Sequence, residues 1–153
     1  MVGRCVTRRA PEHAGAPGGT LSLGKGSMVN ASTKQKLNTR SSTETELVGA
    51  YEMMPQILWT NYFLEHQNWG VKETILLQDN ESAILLEKNG KKSSGRRTRH
   101  INIRYFFIAD RVKSGELKIQ HSPTDDMPAD FFTKPLQGQK FFQFRKQIMN
   151  LKD

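Results

Sequence analysis

Three acids stand where acids can do chemistry. Glu46 falls in the opening turns of a long helical pattern, Asp79 ends a compact apolar run, and Asp130 begins a helical stretch after the last strand pattern. Carboxylates that converge on hard divalent cations can hydrolyse a phosphodiester: one ion activates the attacking water and the other steadies the leaving oxygen. Ligands of open α/β sheets gather at the carboxyl ends of strands, which suits Asp79. A purely structural account also exists. Asp79 then caps a strand end, Glu46 complements a helix dipole and Asp130 is a surface residue, and pattern alone favours that account.

The elements that must position these acids follow from periodicity and turn residues. Residues 20–36 suggest two short strands joined at Gly24–Gly26. Ser41, Ser42 and Thr43 offer helix caps, and Leu47, Ala50, Met54, Ile57 and Leu58 recur at helical spacing towards Trp69–Gly70. Pro55 is expected to kink or tighten that helix. The run 74–78 reads as a buried strand, 81–88 as a short helix, and 90–99 as a basic Gly/Ser-containing loop. Ile101, Tyr105, Ile108 and Val112 share a helical face, 117–121 alternates as a strand, and 127–134 and 139–151 look helical. That order gives an α/β fold with a mixed sheet. Residues 1–17 hold prolines, glycines and arginines without a period and read as irregular.

Composition narrows the class. The 153 residues suffice for one domain with a core, and no apolar run is long enough to cross a membrane. One cysteine, Cys5, excludes an internal disulfide framework; with no signal-peptide pattern, this favours the cytoplasm or nucleus. The formal charge of +8 is unevenly spread: +6 over residues 1–40, −7 over 41–87 and +7 over 88–104. An acidic block beside a basic one fits a divalent metal and a polyanion, and equally fits two solvated faces of opposite sign.

Longer motifs carry a resemblance. STKQKLNTR (32–40), SSTETELVGA (41–50), QDNESAILLEKNG (78–90), TRHINIRYFFIADRV (98–112) and PTDDMPADFFTKPLQG (123–138) stand in the order and spacing of a known family. Over residues 18–151 the chain resembles the ribonuclease H region at the C-terminal end of copia-type retrotransposon polyproteins. The resemblance implies a ribonuclease H-like mixed sheet with flanking helices. It also implies two Mg²⁺ (or Mn²⁺) ions held by carboxylates and cleavage of the RNA strand of an RNA–DNA hybrid. By position, Glu46, Asp79 and Asp130 match the family's catalytic metal ligands. Glu44 is the alternative to Glu46; two residues apart on a helix, they point about 160–200° apart, so one at most faces the site. The implied partners are hybrid or other nucleic acid and the polymerase part of the same polyprotein, with no membrane.

One ligand of that pattern is absent. The family's first strand carries an aspartate before a glycine pair matching Gly18–Gly19, whereas residues 1–17 contain no Asp and only Glu12 as an acid. Reading codons compatible with residues 2–17 one nucleotide later permits Asp near Arg4–Cys5, then Ala-Val-His-Pro and Asn-Met-Arg-Gly-His before the glycines. The expected organisation is therefore an irregular, out-of-frame first-strand remnant over 1–17, a ribonuclease H-like domain over 18–137 and a C-terminal helix over 138–153. The chain is expected to be a fragment of a polyprotein with the first strand missing or degraded, and a weak or inactive nuclease. The alternatives are a non-catalytic nucleic-acid-binding module and a non-functional relic.

Lys91, Lys92, Arg96, Arg97 and Arg99 are the candidate phosphate contacts, against a flexible charged connection. His100 reads as a helix cap, and His121 is a weak candidate for a mobile catalytic histidine. Trp59, Tyr62, Phe63 and Trp69 could stack on bases but, at helical spacing, are expected in the core. Phe131, Phe132, Phe141, Phe142 and Phe144 are expected to pack the C-terminal helices. Cys5 lacks any surrounding nucleophile motif.

Overall fold

A computed structural model describes residues 2–9, 17–33, 41–89 and 99–152. The first finding is a correction. Val2–Arg9 is not irregular but a strand, β1, and it is central. The sheet order is β3-β2-β1-β4-β5, with β2 Pro17–Ser22, β3 Ser27–Ser32, β4 Glu73–Gln78 and β5 Lys118–His121. β1 pairs antiparallel with β2 and parallel with β4, so its backbone is hydrogen-bonded on both edges. The physical reason is local and global at once: Val2, Val6 and Thr7 are β-branched, and the slot between two formed strands accepts any backbone without proline. Leu and Ile content had little to do with it. The expected hairpin at Gly24–Gly26 joins β2 and β3, with Gly24 at φ 118.

Helix α1 spans Ser42–His66, capped by the Ser41 hydroxyl, which accepts from the Glu44 amide at 3.2 Å. It runs on through Pro55 as a single helix. Asn80 caps the next helix, α2 (Glu81–Asn89), by accepting from the Ser82 and Ala83 amides. Helix α3 is Arg99–Lys113. The stretch expected to be helical at 127–134 instead holds a short 3-10 turn, Pro128–Phe132, and a first such turn, Thr124–Asp126, precedes it. Pro128 suits the first position of the second turn, and Pro135 disfavours helical backbone at Lys134, so the stretch cannot run on towards α4. Helix α4 spans Gly138–Met149 and stops at Asn150, which takes the left-handed conformation at φ 51.

The core has two sides. Leu21, Leu47, Met54, Ile57, Leu76 and Ile108 fill the space between the sheet and the α1/α3 layer. Met127 and Ala129 pack with Leu77 on the opposite face. The neighbouring glycines of β2 show how close both layers come. A Cβ on Gly19 would lie 2.8 Å from the Met53 side chain of α1, and one on Gly18 would run into Thr133 Cγ2 beyond the second turn. We expect Gly18→Ala to destabilise the fold by about 1–3 kcal/mol. Adding Thr133→Ser, which removes that methyl, should recover most of the loss in a denaturant melt; an additive double variant would show the contact is not the cause.

The aromatic expectation is partly overturned. Trp59, Tyr62, Phe63 and Trp69 are not core residues; Trp59 is 63% exposed and stacks on Phe63 with ring centroids 5.3 Å apart. Trp59, Tyr62 and Phe63 lie on α1 away from the buried face that Leu47, Ala50, Met54 and Ile57 present to the core, and Trp69 lies beyond the end of the helix. Among the C-terminal phenylalanines Phe144 is fully buried, Phe131 stacks on Phe141, and Phe142 is exposed.

Candidate active site

Asp79 is the first residue beyond β4, at the corner where the strand hands over to α2. It is half-buried, and its Oδ2 accepts from the Thr124 hydroxyl at 3.2 Å. The first 3-10 turn is thereby tied to the end of β4. Asp130 lies within the second turn, only 1% exposed, with Lys134 Nζ 3.2 Å from its Oδ2. A one-turn spacing on a tight turn makes that ion pair local. Glu46 is half-buried on α1.

Strand register decides which acids share a face. Paired residues project to the same side of a sheet. Gly18 faces the turn that carries Asp130, and Leu77 packs against that same layer. Asp79, two residues beyond Leu77, continues that face. Glu46 belongs to α1, across the sheet. β1 runs between all three: it pairs with β4, α1 packs across one side and the Asp130 turn across the other. Yet β1 reads VGRCVTRR and offers no carboxylate. Among the described residues no three His, Cys, Asp or Glu side chains converge closely enough to hold a metal ion.

Continuing the β1–β4 register from Val6↔Leu77 brings position 8 level with Asp79, while Arg8 pairs with Gly18 on the other edge. Backbone position 8 is thus bracketed by Asp79 and the Asp130 turn. Position 4, level with Ile75, lies four residues short of Asp79, about 13 Å along the strand.

One acid escaped the sequence reading. Glu87 of α2 is fully buried, and burial pushes its carboxyl up to about 8. The Gln78 amide pulls in the other direction, though its geometry falls short of a full hydrogen bond, and the Glu46 charge adds to the rise. Glu46 therefore looks toward α2 and Glu87. The signal was present in the sequence: Glu87 follows Ala83 and Ile84 by four and three residues, on the face those apolar residues bury. Glu44 also acts on this region, raising the Tyr105 hydroxyl after the larger effect of burial, so the choice between Glu44 and Glu46 stays open.

His121 is exposed at the end of β5. Lys91, Lys92, Arg96 and Arg97 lie outside the described residues; Arg99 opens α3. No helix among the described residues is long and apolar enough to cross a membrane.

No family model matches the sequence. Over 107 residues, 70% of the chain, it is 36% identical to the retrovirus-related Pol polyprotein from transposon TNT 1-94 of Nicotiana tabacum. Over 121 residues, 77% of the chain, it is 36% identical to that from transposon RE1 of Arabidopsis thaliana. The chain spans about 8% of the length of each polyprotein. The fold is similar to the N-terminal ribonuclease H domain of a Mycobacterium tuberculosis protein, with a TM-score of 0.63 at 8% identity, covering 95% of this chain and 97% of that one. It is also similar to a ribonuclease H1 isolated from compost and solved with an RNA/DNA hybrid, with a TM-score of 0.57 at 11% identity, covering 82% and 88%. Sequence relatives and fold agree: the chain is a ribonuclease H-like domain of the family of retrovirus-related Pol polyproteins from copia-type transposons.

Proposed function

We propose that this domain keeps the ribonuclease H scaffold without an effective metal centre, and that it cuts RNA–DNA hybrid weakly or not at all. The observation that carries this reading is the acid-free β1, the central strand that pairs with β4 and against which α1 and the turn carrying Asp130 pack. In the parent enzyme the three acids would be catalytic Mg²⁺ or Mn²⁺ ligands. The residues present do not fit a two-metal clamp: no three such side chains converge among the described residues, and the Asp130 carboxylate lies against Lys134.

An out-of-frame origin of residues 1–17 supplies the cause; an Asp codon near position 4 in the shifted frame of the gene supports it, and its absence removes it. The basic block 88–104 supports retained binding of hybrid phosphates. Cytoplasm or nucleus, and action beside a polymerase part, belong to the same reading.

The test is cleavage of a labelled RNA–DNA hybrid with Mg²⁺ or Mn²⁺, beside Asp79→Asn. The expected result is no cleavage above the Asp79→Asn background from a sample that melts cooperatively. Cleavage lost in Asp79→Asn overturns the reading. Hybrid affinity that falls steeply with salt would mark a binding module; a missing melting transition would mark a relic.

A further inference from the structure

Beneath α4 a cavity of about 380 Å³ separates the helix from the sheet. Its floor is apolar, made by Leu77, Pro128 and Phe144. Its polar lining comes from Thr20, Ser22, Ser27, Ser122 and Asp126, and Lys25 lines it as well. Past the β2–β3 turn it runs into a second, more open groove of about 510 Å³, flanked by Lys25, Lys146 and Lys152. Lys25 of the β2–β3 turn and Gln143 and Gln147, one turn apart on α4, line both spaces and join them. None of Glu46, Asp79 and Asp130 lines either.

We propose that this joined space binds a phosphorylated ribose, with the sugar in the cavity and the phosphate among the three lysines. The charge order argues for it. Asp126, the one acid lining the cavity, accepts from sugar hydroxyls and repels an anion, whereas Lys25, shared by both spaces, and Lys146 and Lys152 of the open groove attract one. The apolar floor suits the C–H face of the ring. The walls are also preorganised. Thr20 Oγ1 lies 2.6 Å from Ser27 Oγ, and both donate to Asn30 Oδ1, at 2.9 and 2.5 Å, which fixes the two hydroxyls. Gly26 is pressed against the end of α4, where a Cβ would come 3.0 Å from the Ile148 carbonyl oxygen. That contact holds the turn carrying Lys25 beside the last turn of α4, which carries Lys146.

The test titrates the whole chain with ribose 5-phosphate, inorganic phosphate and ribose at fixed ionic strength, read by calorimetry. Ribose 5-phosphate should bind about tenfold more tightly than inorganic phosphate, and ribose more weakly than either. Lys25→Gln/Lys146→Gln/Lys152→Gln should weaken ribose 5-phosphate about tenfold or more. Asp126→Asn should erase the preference for the sugar phosphate while phosphate itself binds as well or better. Equal binding of the two phosphates, an unaffected triple variant, or no binding overturns the proposal. A 5′-phosphorylated tetraribonucleotide separates the sources: tighter binding than ribose 5-phosphate means a strand end, weaker binding a free sugar phosphate, and both support the shared chemistry. No readout is cleavage, so the result stands apart from whether the domain cuts hybrid.

Discussion

Arg8→Asp is expected to give this domain divalent-metal-dependent cleavage of RNA–DNA hybrid, at least about 100-fold above the unaltered chain, since a metal ligand in a water-activating site is worth several kcal/mol. The argument is one of register. β1 is held between β2 and β4, and position 8 is level with Asp79 on one edge and paired with Gly18 on the other. Gly18 abuts the turn carrying Asp130. An acid there would add a carboxylate to a backbone position level with Asp79 and beside the turn that carries Asp130. Arg4→Asp is the control: its position is on the same face but level with Ile75, too far from Asp79 to share an ion. Metal-dependent cleavage by Arg8→Asp but not Arg4→Asp is the expected pattern. Activity from Arg4→Asp alone would mean that β1 pairs in another register, one that brings level with Asp79 the position near 4 where the shifted frame permits an aspartate. No activity from either, with hybrid still bound, would mean that Glu46, on the far side of the sheet, does not complete the site. Arg8→Gln separates removing the cation from adding the ligand.

The second large effect is on stability. Glu87 has a folded pKa raised to about 8 from an ordinary value of 4.5, chiefly by burial. The folded state therefore holds the proton more tightly than the unfolded chain. Below about pH 4.5 the carboxyl is neutral in both states and stability is at its fullest from this group. As pH rises from there towards 8 the unfolded state ionises first, and the fold loses up to about 4 kcal/mol. Glu87→Gln keeps the shape without the charge. It should melt with the parent chain at pH 4.5 and be more stable at pH 8, by an amount that grows through that window. A difference independent of pH would sink this account and leave only a packing change. Because Glu46 raises Glu87 further, Glu46→Gln should narrow the same gap by a smaller amount.

Much of the scaffold was legible in the sequence because it is written in short-range terms. Ser41 caps α1, Gly24 permits the hairpin turn, and the run 74–78 is a buried strand, each for reasons confined to a few residues. The motifs from 32 to 138 were enough to set the family, and to place Asp79 at a strand end and Asp130 beyond the last strand. What escaped depends on partners distant in the chain. VGRCVTRR has no period of its own and becomes a strand because β2 and β4 offer it two hydrogen-bonding edges. Trp59 and Phe63 have helical spacing, but spacing cannot say which face of α1 the sheet covers, and the aliphatic face won. The sequence by itself determined which acids exist and that one is missing. Only the tertiary structure decided that position 8 of β1 comes level with Asp79 when the β1–β4 register is continued, that Asp130 sits against Lys134, and that Glu87 is sealed from water, because pairing register and burial are properties of the assembled sheet and its layers rather than of any segment.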